Sequence, residues 1–311
     1  MHIISASRRT DIPAFYTPWL LNRLDAGFVL VPNPFNPRQI RRVNLRPEAV
    51  ACLVLWTKDP RPLLSHVADL DRRGYPSLFH VTLTGLPSVL EPRVPPAADI
   101  LAAVDSLARL IGPRRLIWRF DPIILSRLTP PERILATFGE LADALRGRVS
   151  HCVISFARFY RQVQGRLKGA LSGAELDFFD PARHDPDLAL ARLAPLAAAL
   201  AREGARRGLE VRSCAEPLDF SPCGIRPAAC IDAELIGELR GLRLSARKDA
   251  GQRGACRCAR SIDIGIYGTC RHGCLYCYAR GDEALARGRR HDPEGEMLLV
   301  GAVPGAGENA D

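Results

Sequence analysis

The chain has 311 residues, 47% of them apolar, and a formal net charge of +9. That length and apolar content suit one large α/β domain or two ordinary ones, and they exclude a disordered or fibrous chain. The charge by itself does not specify a nucleic-acid partner: only Lys58, Lys168 and Lys248 are lysines, and the arginines are spread along the chain.

A strand-like run over 2–7 ends in the polar cluster Arg8-Arg9-Thr10-Asp11. Pro13 then opens a helix to Ala26, with Gly27 as its stop. Residues 28–32 predict a second strand, and 40–45 a partner that folds back on it as a hairpin. Residues 52–57 predict a strand apolar on both faces, hence buried. Helices over 62–73, 98–111 and 131–145 alternate with strands over 78–84, 116–125 and 152–157. A long polar loop is expected over 160–186, then an Ala/Leu-rich helix to 207 and strands over 209–215 and 262–267. A helix over 278–289 closes the pattern.

Eight strands, most followed by a helix, predict βαβ units, with a TIM-like (β/α) barrel preferred over an open doubly wound sheet. One domain is expected over 1–291, with a cysteine-rich metal-binding region at 214–277 and a poorly ordered tail at 292–311. The most apolar helical stretch, 188–201, carries Arg192 and is shorter than the roughly 20 residues a bilayer needs. The first residues lack a signal pattern, so a cytoplasmic protein without a membrane partner is expected.

Eight of the ten cysteines fall from Cys214 onward. In a reducing compartment such a cluster signifies metal rather than disulfides. Cys52 and Cys152 stand alone in apolar runs and read as buried hydrophobes. Cys270, Cys274 and Cys277 form C-x3-C-x2-C, with His272 between them as a loop residue or outer-shell donor. Soft thiolates select iron–sulfur clusters or zinc, and three of them leave one iron of a cubane cluster free of protein sulfur. Cys214, Cys223, Cys230, Cys256 and Cys258 form a second set, four of which could hold an iron–sulfur cluster or a structural zinc. On a barrel the ends of the strands face the active site. Those ends carry Ser5, Ser7, Arg8, Arg9, Asp11, Asn33, Asn36, Thr57, Lys58, Thr82 and Thr84, then Arg119, Asp121, Ser155, Arg158 and Glu216. Arg119 and Asp121 interrupt an apolar run, where charge is costly unless paired or functional.

The Cys270–Cys277 loop resembles the cluster loop of the radical S-adenosylmethionine (SAM) superfamily. Together with Ser5-Ala-Ser-Arg-Arg-Thr-Asp11, Asn33-Pro-Phe-Asn36 and Trp56-Thr-Lys58, it also resembles a bacterial radical-SAM-like family of unknown function, along nearly the whole chain. The resemblance implies a [4Fe–4S] cluster on Cys270, Cys274 and Cys277, whose free iron chelates SAM. An electron, from reduced flavodoxin or ferredoxin, then cleaves SAM to a 5′-deoxyadenosyl radical. It implies adenine packing by Tyr276 and an auxiliary centre (a second [4Fe–4S] cluster or zinc) on Cys214, Cys230, Cys256 and Cys258, leaving Cys223 over. Ser5, Ser7, Arg8, Arg9 and Asp11 are then expected to bind cofactor, and Lys58, Arg119 and Asp121 to be catalytic. The arginine-rich rim suggests an anionic substrate. In that superfamily the cluster loop follows the first barrel strand, whereas here it follows the last. A circular permutation is therefore expected, with strand 262–267 beside strand 2–7. The alternatives are a non-catalytic iron–sulfur protein and a zinc-stabilised nucleic-acid-binding barrel.

Overall fold

The computed structural model describes residues 1–171, 177–280 and 290–300. Its strands are β1 (His2–Ala6), β2 (Phe28–Pro32), β3 (Ile40–Asn44), β4 (Val50–Thr57), β5 (Ser77–Thr82), β6 (Leu116–Ile123), β7 (His151–Phe156), β8 (Val211–Cys214), β9 (Arg226–Ala228) and β10 (Ile262–Asp263). Its helices are α1 (Ile12–Phe15), α2 (Thr17–Ala26), α3 (Arg61–Leu64), α4 (Val67–Arg72), α5 (Ala97–Ile111), α6 (Pro131–Leu145), α7 (Arg161–Ala170), α8 (Pro186–Arg206) and α9 (Ala233–Arg240). Local chemistry sets several boundaries. Gly27 ends α2 with a left-handed φ of 74°. Asp185 and Asp232 accept backbone N–H groups at the starts of α8 and α9.

Eight strands make one parallel sheet in the order β10-β1-β4-β5-β6-β7-β8-β9. From β1 to β9 the chain always steps to the next strand in one direction. The crossover helices pack on one face, where Trp19, Ile100, Val104, Phe138 and Leu200 join Leu53, Phe79 and Trp118 in the main core. On the opposite face Ile3, Cys52, Val54, Leu78, Ile117 and Val153 pack with Ala233 and Ile236 of α9. Arg240, at the end of α9, donates to the carbonyls of Pro47 and Val50 and so fixes the helix beside the entry to β4.

The expected neighbour relation holds: β10 lies parallel to β1, with Ile4 opposite Ile262 and Ser5 opposite Asp263. The strand is only two residues long, not the six expected. Barrel closure is not found, since among the described residues no pairing joins β9 to β10. Residues 28–32 form the expected antiparallel hairpin with β3, but it is a separate sheet, so they do not belong among the parallel strands where they were counted. The eighth strand is β9, whose Pro227 hides it from alternation but is tolerated at a sheet edge. The helix expected over 62–73 is two short helices, α3 and α4.

The loop expected over 160–186 contains α7, a polar helix that buries only Val163 and Leu167, one turn apart. Two apolar residues in a polar run give too little periodicity to mark a helix. Of the helix expected over 278–289, one turn is present at Tyr278–Arg280, and the rest lies outside the described residues. The tail expected to fray from 292 is packed as far as residue 300. Trp19 donates to the Gly295 carbonyl at 2.9 Å, Leu30 N–H to Glu296 at 2.9 Å, and Leu298 is 1% exposed. Residues 301–311 lie outside the described residues. Among the described residues no helix is long and apolar enough to cross a membrane.

Candidate functional site

Side chains of a strand alternate between faces, so the face carrying Ile3, Leu78, Ile117 and Val153 also carries Ser5, Ser7, His80, Thr82, Arg119, Asp121, Ser155 and Cys214. The apolar members come first in each strand and the polar ones last. At the C-terminal ends of the strands this face borders a cavity of about 610 Å³. Its lining includes Cys270, Cys274 and Cys277 and also Cys214, Cys230, Cys256 and Cys258. The two cysteine sets therefore share one chamber. Cys52 and Cys152 are fully buried in the sheet, and Cys223 packs against the main core outside the cavity lining.

The Cys270 loop is held mainly by backbone and by two carboxylates. Tyr16 donates to the Thr269 carbonyl at 2.6 Å, Arg93 N–H to His272, and Leu275 N–H to Leu90. Gly273 has φ +74°, and a Cβ there would meet the Arg93 guanidinium at 2.9 Å, so the turn favours glycine. Asp11 caps α1 through Oδ1. Its Oδ2 accepts from Lys58 N–H at 2.7 Å and pairs with His272 Nε2 at 2.8 Å. Asp11 thereby ties β1, β4 and the cysteine loop together, and His272 is its partner across the loop.

Glu91 is the second tie. One of its oxygens accepts from Lys58 at 2.8 Å, from Thr84 at 2.9 Å and from the Tyr276 hydroxyl. Burial opposes charge on both members of the Lys58–Glu91 pair, but their mutual attraction wins. Lys58 is raised and Glu91 lowered from their ordinary values. Burial pushes the Cys270 thiol up and pushes Cys274 up to about 12, and charge on the neighbouring cysteines adds to both shifts.

In the second set the Cys230 thiol donates to Cys214 at 3.1 Å, and Cys258 Sγ accepts from Ile231 N–H at 3.4 Å. Thiol donors hold Cys214 at about 7, and they lower Cys258 as well. Arg119 donates to Cys230 Sγ at 2.9 Å and pairs with Asp121, which also accepts from Ser155. The charges inside the apolar run of β6 are thus paired with each other and with a cysteine. Trp56 stacks on His80 at 4.2 Å, with Arg8 and Arg119 over its ring.

Of the residues expected to bind cofactor, Ser7, Arg8, Arg9, Asp11 and Tyr276 line the cavity. Ser5 does not; it donates to Asp263 at 3.0 Å and accepts from Trp56. Lys58, Arg119 and Asp121 all line it. Sequence reasoning missed Asp263, which accepts from Ser5, Ser7 and Arg8 N–H and so joins the first strand to the last. It also missed Glu91, which sits in a proline-rich loop with no local signal. At Gly265 a Cβ would lie 2.5 Å from Ser7 Cβ. Gly265→Ala is therefore expected to destabilise the protein by about 1–3 kcal/mol, by forcing β10 away from β1. Thermal unfolding of the variant checks this.

The family described as Domain of unknown function (DUF1848) matches residues 3–279, nearly the whole chain. The chain belongs to the DUF1848 family. No curated protein and no solved structure matches it.

The donor chemistry of this DUF1848 chain fits soft metal. Seven cysteines border one cavity, and the thiols of the Cys270 loop repel one another as thiolates, a repulsion that a cationic cluster would relieve. Among the described residues no three His, Cys, Asp or Glu side chains already enclose a point suited to a single metal ion.

Proposed function

We propose that this DUF1848 chain is a radical SAM-type iron–sulfur enzyme acting on an anionic substrate. The observation that carries this reading is the shared cavity at the C-terminal ends of a parallel sheet, bordered by both cysteine sets. Cys270, Cys274 and Cys277 would hold a [4Fe–4S] cluster, and Cys214, Cys230, Cys256 and Cys258 a second cluster or zinc. When bound, the three-cysteine cluster supplies an electron, drawn from reduced flavodoxin or ferredoxin, that splits SAM to a 5′-deoxyadenosyl radical.

The chain's own residues have simpler tasks on this reading. Asp11 and Glu91 fix the cysteine loop against β1, β4 and the loop after β5. Tyr276, oriented by Glu91, offers its ring to the adenine. Lys58, Arg119 and Asp121 are the charged groups placed to act beside the substrate. The β10–β1 neighbourhood supports a circular permutation, in which the strand leading into the cysteine loop precedes β1 in space while ending the sheet in sequence. Ten free thiols accord with a reducing compartment such as the cytoplasm.

Anaerobically reconstituted protein is expected to be brown, to bind about four irons through the Cys270 set, and to release 5′-deoxyadenosine when reduced with SAM present. A colourless protein holding stoichiometric zinc overturns the proposal.

A further inference from the structure

The cations around the cavity fall into two groups. Lys58 is engaged by Glu91, Arg119 by Asp121 and Cys230, and Arg9 by the Gly265 carbonyl and Asp263. Arg8, Arg158 and Arg253 line the same cavity, yet among the described residues none of the three guanidinium groups has a hydrogen bond or an ion pair. Arg8 is the sharpest case. Its Nη2 is buried without a partner, and its guanidinium carbon lies 5.4 Å from the Trp56 ring centre. Arg23, Arg207 and Arg240 also bury an Nε without a partner, but their Nη groups donate to protein acceptors, whereas among the described residues the Arg8 guanidinium donates to none. A buried guanidinium N–H without an acceptor is costly. The acceptor that suits several guanidinium groups at once is an oxyanion.

The positions of Arg8 and Arg253 narrow the choice. Arg8 stands within electrostatic reach of Cys258, Cys230 and Cys256, and Arg253 within reach of Cys214. Tyr278, the residue after Cys277, lies within reach of both Arg8 and Arg253. Its ring meets that of Tyr160 at 6.4 Å, on the same cavity wall. An anion held here sits between the two cysteine sets. A cavity of about 610 Å³ falls within the roughly 300–1,000 Å³ typical of small-molecule pockets.

We propose that Arg8, Arg158 and Arg253 bind a carboxylate or phosphate group of a small organic substrate. The anion site stands on the arginines alone, whereas its assignment to the substrate rests on the proposed function.

Inorganic phosphate and acetate are the probes. Each is titrated into the anaerobically reconstituted full chain at ionic strength held constant with chloride, and the unfolding midpoint is followed. At least one anion is expected to stabilise the protein saturably. Its apparent Kd should rise about tenfold or more in Arg8→Gln/Arg253→Gln, and should not change in Arg192→Gln, on the outer face. Stronger phosphate binding marks a phosphorylated substrate, and stronger acetate binding a carboxylate.

No saturable response to either anion, or an equal response in the double variant, overturns the site. Arg253→Gln alone, at an exposed position, repeats the test should Arg8→Gln fold poorly. Saturating S-adenosylhomocysteine should leave the anion affinity unchanged. If it displaces the anion, the arginines serve the cofactor and the substrate assignment falls. If Arg8→Gln loses iron but keeps the anion response, Arg8 serves the second cysteine set and the proposal also falls. A wild-type chain that takes up no iron removes the radical SAM reading, while the titration still decides the anion site.

Discussion

Cys274→Ala protein is expected to lose the iron of the Cys270 loop and to release no 5′-deoxyadenosine, while its parallel sheet stays folded. Cys274 is the most buried of the three thiols, 6% exposed. Two thiolates cannot retain a cubane cluster that three hold with one iron already free of protein sulfur. The fold should survive because the loop does not depend on sulfur for its shape. The Tyr16–Thr269, Arg93–His272, Leu275–Leu90 and His272–Asp11 contacts all remain. Removing one buried sulfur from that framework costs on the order of 1 kcal/mol. Iron analysis, product chromatography and circular dichroism on the same sample check the three parts. Cys230→Ala should do the opposite for metal, emptying the second set and leaving the first. Full turnover by Cys274→Ala would sink the proposed function.

Glu91→Ala is expected to destabilise the metal-free protein by roughly 3–5 kcal/mol, because it strands the buried Lys58 ammonium. For a chain of this size that corresponds to a fall in unfolding midpoint of about 5–8 °C. Thr84 and Tyr276 lose their acceptor in the same step. Lys58→Met in the Glu91→Ala background should recover much of the loss, since it removes the stranded charge. A Glu91→Ala protein as stable as the wild type would show that water reaches Lys58.

The pair also predicts a pH window. Glu91 titrates below its ordinary 4.5, so its stabilisation is present above that pH and fades as pH falls through the lowered value. Lys58 titrates above its ordinary 10.5, so its stabilisation is present below that pH and fades as pH rises through the raised value. Glu91→Ala should therefore flatten the acid limb of stability against pH, measured by denaturant unfolding.

Much of this was legible in the residues. The long strands and the helices α5 and α6 follow from apolar periodicity, which local sequence carries directly. The neighbourhood of β10 and β1 followed from the resemblance of the cysteine loop to one that follows a first strand, set against its place after the last strand here. Three things were not legible, each for its own reason. The hairpin of the second strand was expected, but not that it stands apart from the parallel sheet: prolines between 32 and 37 steer the chain back before it can cross the sheet. Strand β9 is three residues with a central proline, too short for any pattern. Glu91 and Asp263 are single carboxylates whose partners lie far off in sequence, and such pairings exist only once the fold has formed. The cysteines were conspicuous one by one, but their meeting in a single chamber depends on the order of strands.

That order also sets a sequence of events during synthesis. Asp263 and the Cys270 loop emerge late, whereas the strands from β1 to β9 are complete by residue 228. At about 5–20 residues per second, the ribosome takes several seconds more to deliver the segment that pairs with β1. Through that interval the nascent chain has the floor and walls of the chamber, four or fewer of its seven cysteines, and an unpaired edge at β1. On the proposed function, metal loading of the complete chamber would have to wait for that segment. A chain truncated before Cys270 would carry most of the core and none of the three cysteines of that loop.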